Sequence, residues 1–125
     1  MTQETIPDFT DTELWTIGQT LRERYGRDIE TQIGDAEIRL FPEDRTLTSV
    51  PAVVWSERGA NFVVFKTGRG RYRAQFFYRG FQQYGTGREE YDDLALCVTT
   101  LLQVQSDHIR KEQLEPVDPG PRAKN

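Results

Sequence analysis

The spacing of apolar residues changes twice along this 125-residue chain, and that change limits the possible folds more than any other feature. Apolar residues recur at helical intervals over residues 10–25, alternate in short runs between residues 28 and 84, and return to helical intervals from residue 91. Turn residues separate the alternating runs. The order predicts an α+β domain, α-β-β-β-β-α, with a four-stranded antiparallel sheet. Both helices are expected on one face of that sheet, and one helix on each face is the alternative.

Two capping boxes mark where the helices are expected to begin. Thr10 and Glu13 form a Thr-x-x-Glu box, and Gly26 follows the last turn of the pattern, so the first helix is predicted over residues 10–25. Thr86 and Glu89 form a second box, which predicts a helix start near residue 86. The two apolar stripes supply the predicted core, which consists of Leu14, Ile17, Leu21, Leu94, Val98 and Leu101.

The chain is expected to form one domain over residues 8–112. Residues 1–7 are predicted to be a flexible tail, and the proline-containing segment 115–125 is predicted to be disordered. Cys97 is the only cysteine and cannot form an intrachain disulfide, which favours a reducing compartment. With no signal-peptide pattern and no long apolar run, the expected location is the cytoplasm.

Catalytic and metal-binding motifs are not recognisable in the chain, and the prediction is a protein that is not an enzyme and needs no cofactor. One cysteine and one histidine exclude the usual structural zinc sets. His108 is expected at the surface near the end of the last helix, and Cys97 as a small buried residue of that helix. Calcium binding at an irregular acidic site stays as an alternative, since such sites leave little trace in sequence. Its candidate ligands are Asp8, Asp11, Glu13, Glu89, Glu90, Asp92 and Asp93.

The segment 66–88 carries the strongest functional signal, because it mixes basic and aromatic residues without any acid. Strand alternation over residues 71–79 separates an even set that is apolar from an odd set that is rich in arginine. The even set is predicted to lie under the helices, so the odd set must point to the opposite face. Trp55 or Phe65 is expected to join that face, depending on the strand register. The predicted binding residues are Arg71, Arg73, Phe77, Arg79, Trp55 and Phe81.

Three interpretations compete for this arginine and aromatic face. The favoured one is a protein interface, for self-association or for an acidic partner, in a small regulatory or adaptor domain. The alternative is a single-stranded nucleic-acid-binding module, in which bases stack on the aromatics and arginines hold phosphates. The net charge of −4 counts against that alternative and against an anionic membrane. In the third interpretation the face is merely solvated, and its arginines pair with Glu37 and Glu57 across the sheet.

Overall fold

Both helices lie on one face of an antiparallel sheet in the computed structural model, which describes residues 6–78 and 83–114. In chain order the elements are α1 (Asp11–Tyr25), β1 (Gln32–Ile38), β2 (Thr48–Glu57), β3 (Ala60–Gly68), β4 (Arg71–Phe77), β5 (Gln83–Gly85) and α2 (Leu94–Leu114). Each strand pairs with its neighbours in sequence, so the sheet order is β1-β2-β3-β4-β5. The predicted α+β class and helix placement are confirmed, with one strand more than expected.

Helix α1 begins and ends where its capping residues predict. The Thr10 side chain accepts from the Glu13 backbone N–H at 3.1 Å, and the Glu13 carboxylate accepts from the Thr10 N–H at 2.7 Å. Gly26 ends the helix at a φ of 74°, a left-handed conformation that glycine adopts without strain. Ile17 and Leu21 are buried one turn apart, which fixes the face that α1 presents to the sheet.

Helix α2 starts later than predicted, and the expected Thr86–Glu89 capping box does not form. Instead Asp93 caps the helix, with its Oδ1 accepting from the Leu96 N–H at 3.0 Å. Tyr91, expected in the helix, exchanges two backbone hydrogen bonds with Tyr72 of β4, of 2.9 and 2.8 Å. Burial of the Tyr91 ring and this pairing keep the chain extended up to the cap.

The fifth strand corrects the expectation that β4 runs on to residue 79 or beyond. β4 ends at Phe77, and β5 returns beside it, with Tyr84 opposite Phe76. The rings of these two residues stack with centroids 5.2 Å apart. Phe76 and Tyr84, which strand periodicity would place along one long strand, therefore lie on two antiparallel strands and contact each other.

The predicted core is confirmed on the helix side of the sheet. Tyr72, Ala74 and Phe76 of β4 are buried there, as the even set predicts. The helical residues packed with them are Leu14, Ile17, Leu21, Leu94, Cys97, Val98 and Leu101. The odd-numbered residues of β4 therefore lie on the opposite face, which we call the open face.

Candidate functional site

Half of the open face is covered by the chain itself, and is not free as the sequence predicted. Val50, Ala52, Val63 and Phe65 form a second buried cluster there. Ile6 from the N-terminal segment and Ala36, Ile38 and Leu40 from β1 and the residues after it pack against this cluster. Ile6 falls within the predicted tail, while residues 1–5 and 115–125 lie outside the described residues. Among the described residues, this cover leaves only the other half of the face accessible to a partner.

Arg73 is engaged in holding two connections onto the sheet. Its guanidinium donates to three backbone oxygens: Arg39 O at 3.0 Å, Leu40 O at 2.7 Å and Glu89 O at 3.2 Å. The first two belong to the β1–β2 connection and the third to the segment before α2. Each of the three guanidinium nitrogens thus has an acceptor, and two of the five N–H donors of Arg73 remain for other groups. These bonds fix the guanidinium against the sheet.

The ion pairs formed by Arg71 and by Glu57 differ from those predicted from the sequence. Arg71 donates to Glu90 at 3.1 and 3.2 Å, with both side chains largely in solvent. Glu57, expected opposite an arginine of β4, forms its ion pair with Arg27 instead. Across the described residues, no ion pair joins Glu37 to another side chain. For the arginines of β4 that the structure describes, the predicted cross-sheet pairing with Glu37 and Glu57 is wrong, because Arg71 pairs with Glu90 and Arg73 binds backbone carbonyls.

Strand register assigns Trp55 and Phe65 to opposite faces. Trp55 lies opposite Phe62 and Ala52 opposite Phe65. Trp55 consequently belongs to the helix side, where it is 3% exposed and stacks on Phe62 with centroids 5.3 Å apart. Its placement on the open face was wrong, and Phe65 is the aromatic residue that the register adds. Arg79 and Phe81, the other two predicted binding residues, lie outside the described residues.

Phe77 lines a cleft at the uncovered end of the sheet. This Phe77 cleft has a volume of about 540 Å³ and extends from the residues before β1 across β2 and β3. Its apolar lining residues are Ile29, Val54, Trp55, Phe62 and Phe77, and its polar ones are Arg27, Glu30, Gln32, Ser56, Glu57 and Asn61. Val54 is 39% exposed and Phe77 is half-buried. Trp55 and Phe62 are almost fully buried on the helix side. The apolar side chains that a ligand can reach in the cleft are therefore Ile29, Val54 and Phe77, with polar groups around them.

The polar groups of the Phe77 cleft are partly fixed by one another. Ser56 Oγ donates to Asn61 Oδ1 at 2.6 Å, and the Asn61 amide nitrogen lies 3.5 Å from the carbonyl oxygen of Phe77. The buried indole Nε1 of Trp55 has no hydrogen-bond partner among the described residues. The contacts of Ser56 and Asn61 link β2, β3 and β4 at this end of the cleft.

Cys97 and His108 occupy environments that differ from each other. Burial raises the pKa of the Cys97 thiol to about 12, which removes the thiolate that a nucleophile needs at neutral pH. His108 is half-buried and not at the surface as predicted, because its ring packs among Phe76, Tyr78 and Tyr84. Its Nδ1 lies 3.2 Å from the Tyr78 hydroxyl.

A buried lysine anchors α1 to the sheet, and the sequence analysis missed it. Lys66 is 3% exposed and donates to Glu13 Oε1 at 2.8 Å and to the Asp8 carbonyl at 2.9 Å. The Tyr72 hydroxyl donates to the other oxygen of Glu13. Burial alone would raise the pKa of Glu13, but hydrogen bonds from Lys66, Tyr72 and the Thr10 N–H hold it below the ordinary value of 4.5. Burial, and then the bond to Glu13, raises the pKa of Tyr72.

Three of the seven acids proposed for calcium have other roles in the structure. Glu13 binds Lys66, Glu90 binds Arg71, and Asp93 caps α2. Within residues 6–78 and 83–114, no three His, Cys, Asp or Glu side chains are grouped so that they could hold a metal ion. None of the helices in that part of the chain is long and apolar enough to cross a membrane.

Comparisons with known proteins add no relative to this description. No protein-family model matches the chain, and neither a curated protein nor a solved structure matches it at a significant level.

Proposed function

We propose that this chain is a non-enzymatic regulatory or adaptor domain that binds a segment of a partner protein, or a second copy of itself, in the Phe77 cleft. The observation that carries the proposal is the pair of apolar side chains that the described residues leave accessible on the half of the open face away from the Val50, Ala52, Val63 and Phe65 cluster. Val54 of β2 is 39% exposed, and Phe77 of β4, on the same face with β3 between them, is half-buried. The other half of the face is covered by Leu40 and Ile6. An apolar centre with a polar surround is the usual anatomy of a protein interface.

The arginine contacts favour a protein partner over nucleic acid. Binding to a phosphate backbone relies on cations that are free to replace counterions. Arg73 is held by three carbonyl oxygens, and Arg71 by Glu90. Glu30 and Glu57 also line the Phe77 cleft, and their carboxylates would repel a phosphate. The cleft offers a ligand the apolar side chains of Val54 and Phe77 together with these acids.

The test is a peptide library displayed on phage and selected on the wild-type protein. Selected peptides are then measured by fluorescence anisotropy against wild type, Phe77→Ala and Phe41→Ala. Truncating an aromatic residue at the centre of an interface costs about 2 kcal/mol, so Phe77→Ala should weaken binding at least about tenfold. Phe41 is 59% exposed and does not line the cleft, so Phe41→Ala is the matched control and should bind like wild type.

Two further measurements distinguish a partner protein from a second copy of the chain and from nucleic acid as the ligand. Sedimentation of wild type and Phe77→Ala at high concentration identifies a second copy as the ligand if only wild type associates. Affinity for single-stranded oligonucleotides that falls steeply with salt would instead support the nucleic-acid alternative. A selection that yields no peptide, or peptides that bind Phe77→Ala as well as wild type, would overturn the proposal if wild type also stays monomeric.

A further inference from the structure

Strand β1 leaves one backbone edge of the sheet unpaired. It pairs with β2 over its full length, Gln32–Ile38, and within the described part of the chain no strand pairs with its outer side. The strand at the opposite edge, β5, spans only Gln83–Gly85. An edge of seven residues exposes alternating N–H and C=O groups, which can accept an added strand from another chain.

The side chains of β1 carry two negative charges, and the exposed Arg39, two residues after Glu37, is the nearest basic residue along the chain. Ile33, Asp35 and Glu37 alternate along the side of β1 that continues the helix-covered face, yet all three are exposed, Ile33 by 62%. No ion pair or side-chain hydrogen bond joins Asp35 or Glu37 to any residue that the structure describes. The residues that alternate with them, Gln32 and Ile38 among them, are uncharged. The strand therefore presents one apolar and two acidic positions in a fixed order.

This charge pattern disfavours a second copy of β1 as the added strand. Antiparallel pairing of two β1 strands over their full length would put Asp35 opposite the same residue of the other copy. Like charges directly opposite each other destabilise a strand pair, whereas opposite charges stabilise it by roughly 0.2–1 kcal/mol. A partner strand with cations at these positions is the complementary one.

We infer that the β1 edge binds an extended basic segment of a partner protein by strand addition. In antiparallel pairing, the partner carries Lys or Arg opposite Glu37 and again opposite Asp35, and an apolar residue opposite Ile33. Its sequence order is basic-x-basic-x-apolar. The inference deepens the proposed function and rests on it, because Gln32 at the start of β1 also lines the Phe77 cleft.

The test uses a dye-labelled, end-blocked peptide, Lys-Thr-Lys-Thr-Val, and the full chain. Binding is measured by fluorescence anisotropy at low salt. The double variant Asp35→Lys/Glu37→Lys should bind this peptide about tenfold more weakly, since it turns two attractions into repulsions. The same variant should gain affinity for Glu-Thr-Glu-Thr-Val. Circular dichroism checks that both proteins are folded.

A peptide N-methylated at alternate residues is the matched control for strand addition. It keeps every charge and side chain but lacks the N–H groups that would pair with β1, so it should not bind. Equal binding of the methylated and parent peptides would overturn strand addition. Equal binding of the parent peptide to wild type and to the charge-reversed variant would overturn the assignment to Asp35 and Glu37, as would no binding at all.

The outcome for β1 can be told apart from the outcome for the Phe77 cleft. If Phe77→Ala abolishes binding of the phage-selected peptides but Lys-Thr-Lys-Thr-Val does not bind, the proposed function stands and the basic partner is refuted. If the lysine peptide binds in the expected way but no ligand depends on Phe77, the edge is the binding surface and the cleft is not.

Discussion

Removing Glu13 should destabilise the protein far more than removing its partner Lys66. The Lys66 ammonium lies in a site where its side chain is 4% exposed, and that of Glu13 is 14% exposed. Without the carboxylate, the ammonium keeps only the Asp8 carbonyl, at 2.9 Å, and the Phe9 ring, whose centroid is 6.0 Å away. An uncompensated buried charge costs about 3–5 kcal/mol.

The opposite change leaves a carboxylate that is more exposed than the ammonium and is still hydrogen-bonded. In Lys66→Met a flexible apolar chain replaces the lysine stem, and Glu13 keeps its hydrogen bonds from Thr10 and Tyr72. We expect Lys66→Met to cost about 1 kcal/mol, and the double variant Glu13→Ala/Lys66→Met to recover about 2 kcal/mol of the loss caused by Glu13→Ala alone. A domain of this size has a free energy of unfolding of about 5–15 kcal/mol, so all three variants are measurable.

Urea unfolding followed by circular dichroism gives these free energies. The double-mutant cycle isolates the interaction between Glu13 and Lys66. The reasoning is refuted if Glu13→Ala stays within about 1 kcal/mol of wild type, or if Lys66→Met is as destabilising as Glu13→Ala.

Four further predictions test the core, the acid response and the minor candidates. Glu13 has a lowered folded pKa, so its stabilising effect is present above about pH 4.5 and is lost as the pH falls through the folded value; Glu13→Gln should flatten the acid side of a stability–pH curve. Val98→Asp should unfold the domain by burying an unpaired charge, and a cooperative thermal transition in that variant would contradict this. Cys97→Ser and His108→Ala should keep the affinity for the phage-selected peptides, and loss of binding with folding preserved would show that either residue acts in the site. Arg73→Lys cannot reach three carbonyls and should speed amide hydrogen exchange near Leu40, compared with Arg71→Lys as control.

Features of the fold that depend on local chemistry could be predicted from the sequence. The Thr10–Glu13 box and Gly26 fix α1 through contacts three or four residues apart. Alternation within β4 correctly divides Tyr72 and Phe76 from Arg73, because each successive side chain points to the other side of a strand. These features need no knowledge of the rest of the chain.

The start of α2 could not be predicted, because a distant contact decides between two possible caps. Thr86 and Asp93 are both good capping residues by type. Tyr91 pairs with Tyr72, and its side chain is buried, so the segment between the two caps stays extended. Nothing near residue 86 in the sequence indicates that pairing.

Lys66 shows how a distant partner changes the role of a charged residue. Alternation through Phe62 and Val64 places Lys66 on the helix side of β3, so a buried position could have been predicted. Its partner Glu13 lies 53 residues earlier in the chain. The sequence pattern assigns Glu13 only to the capping box with Thr10. The basic segment 66–88 therefore looked more available to ligands than it is.

The contacts of these charged residues also bear on the charge of the proposed partner. From sequence, the arginines of β4 favour an acidic partner or a phosphate. In the structure Arg73 and Arg71 are bound by groups of the same chain, while Asp35 and Glu37 on the sheet edge have no partner among the described residues. Unpaired charges at an exposed edge influence which strand can dock there, whereas paired ones contribute little. A basic segment therefore fits the available surface better than an acidic one, in agreement with the net charge of −4.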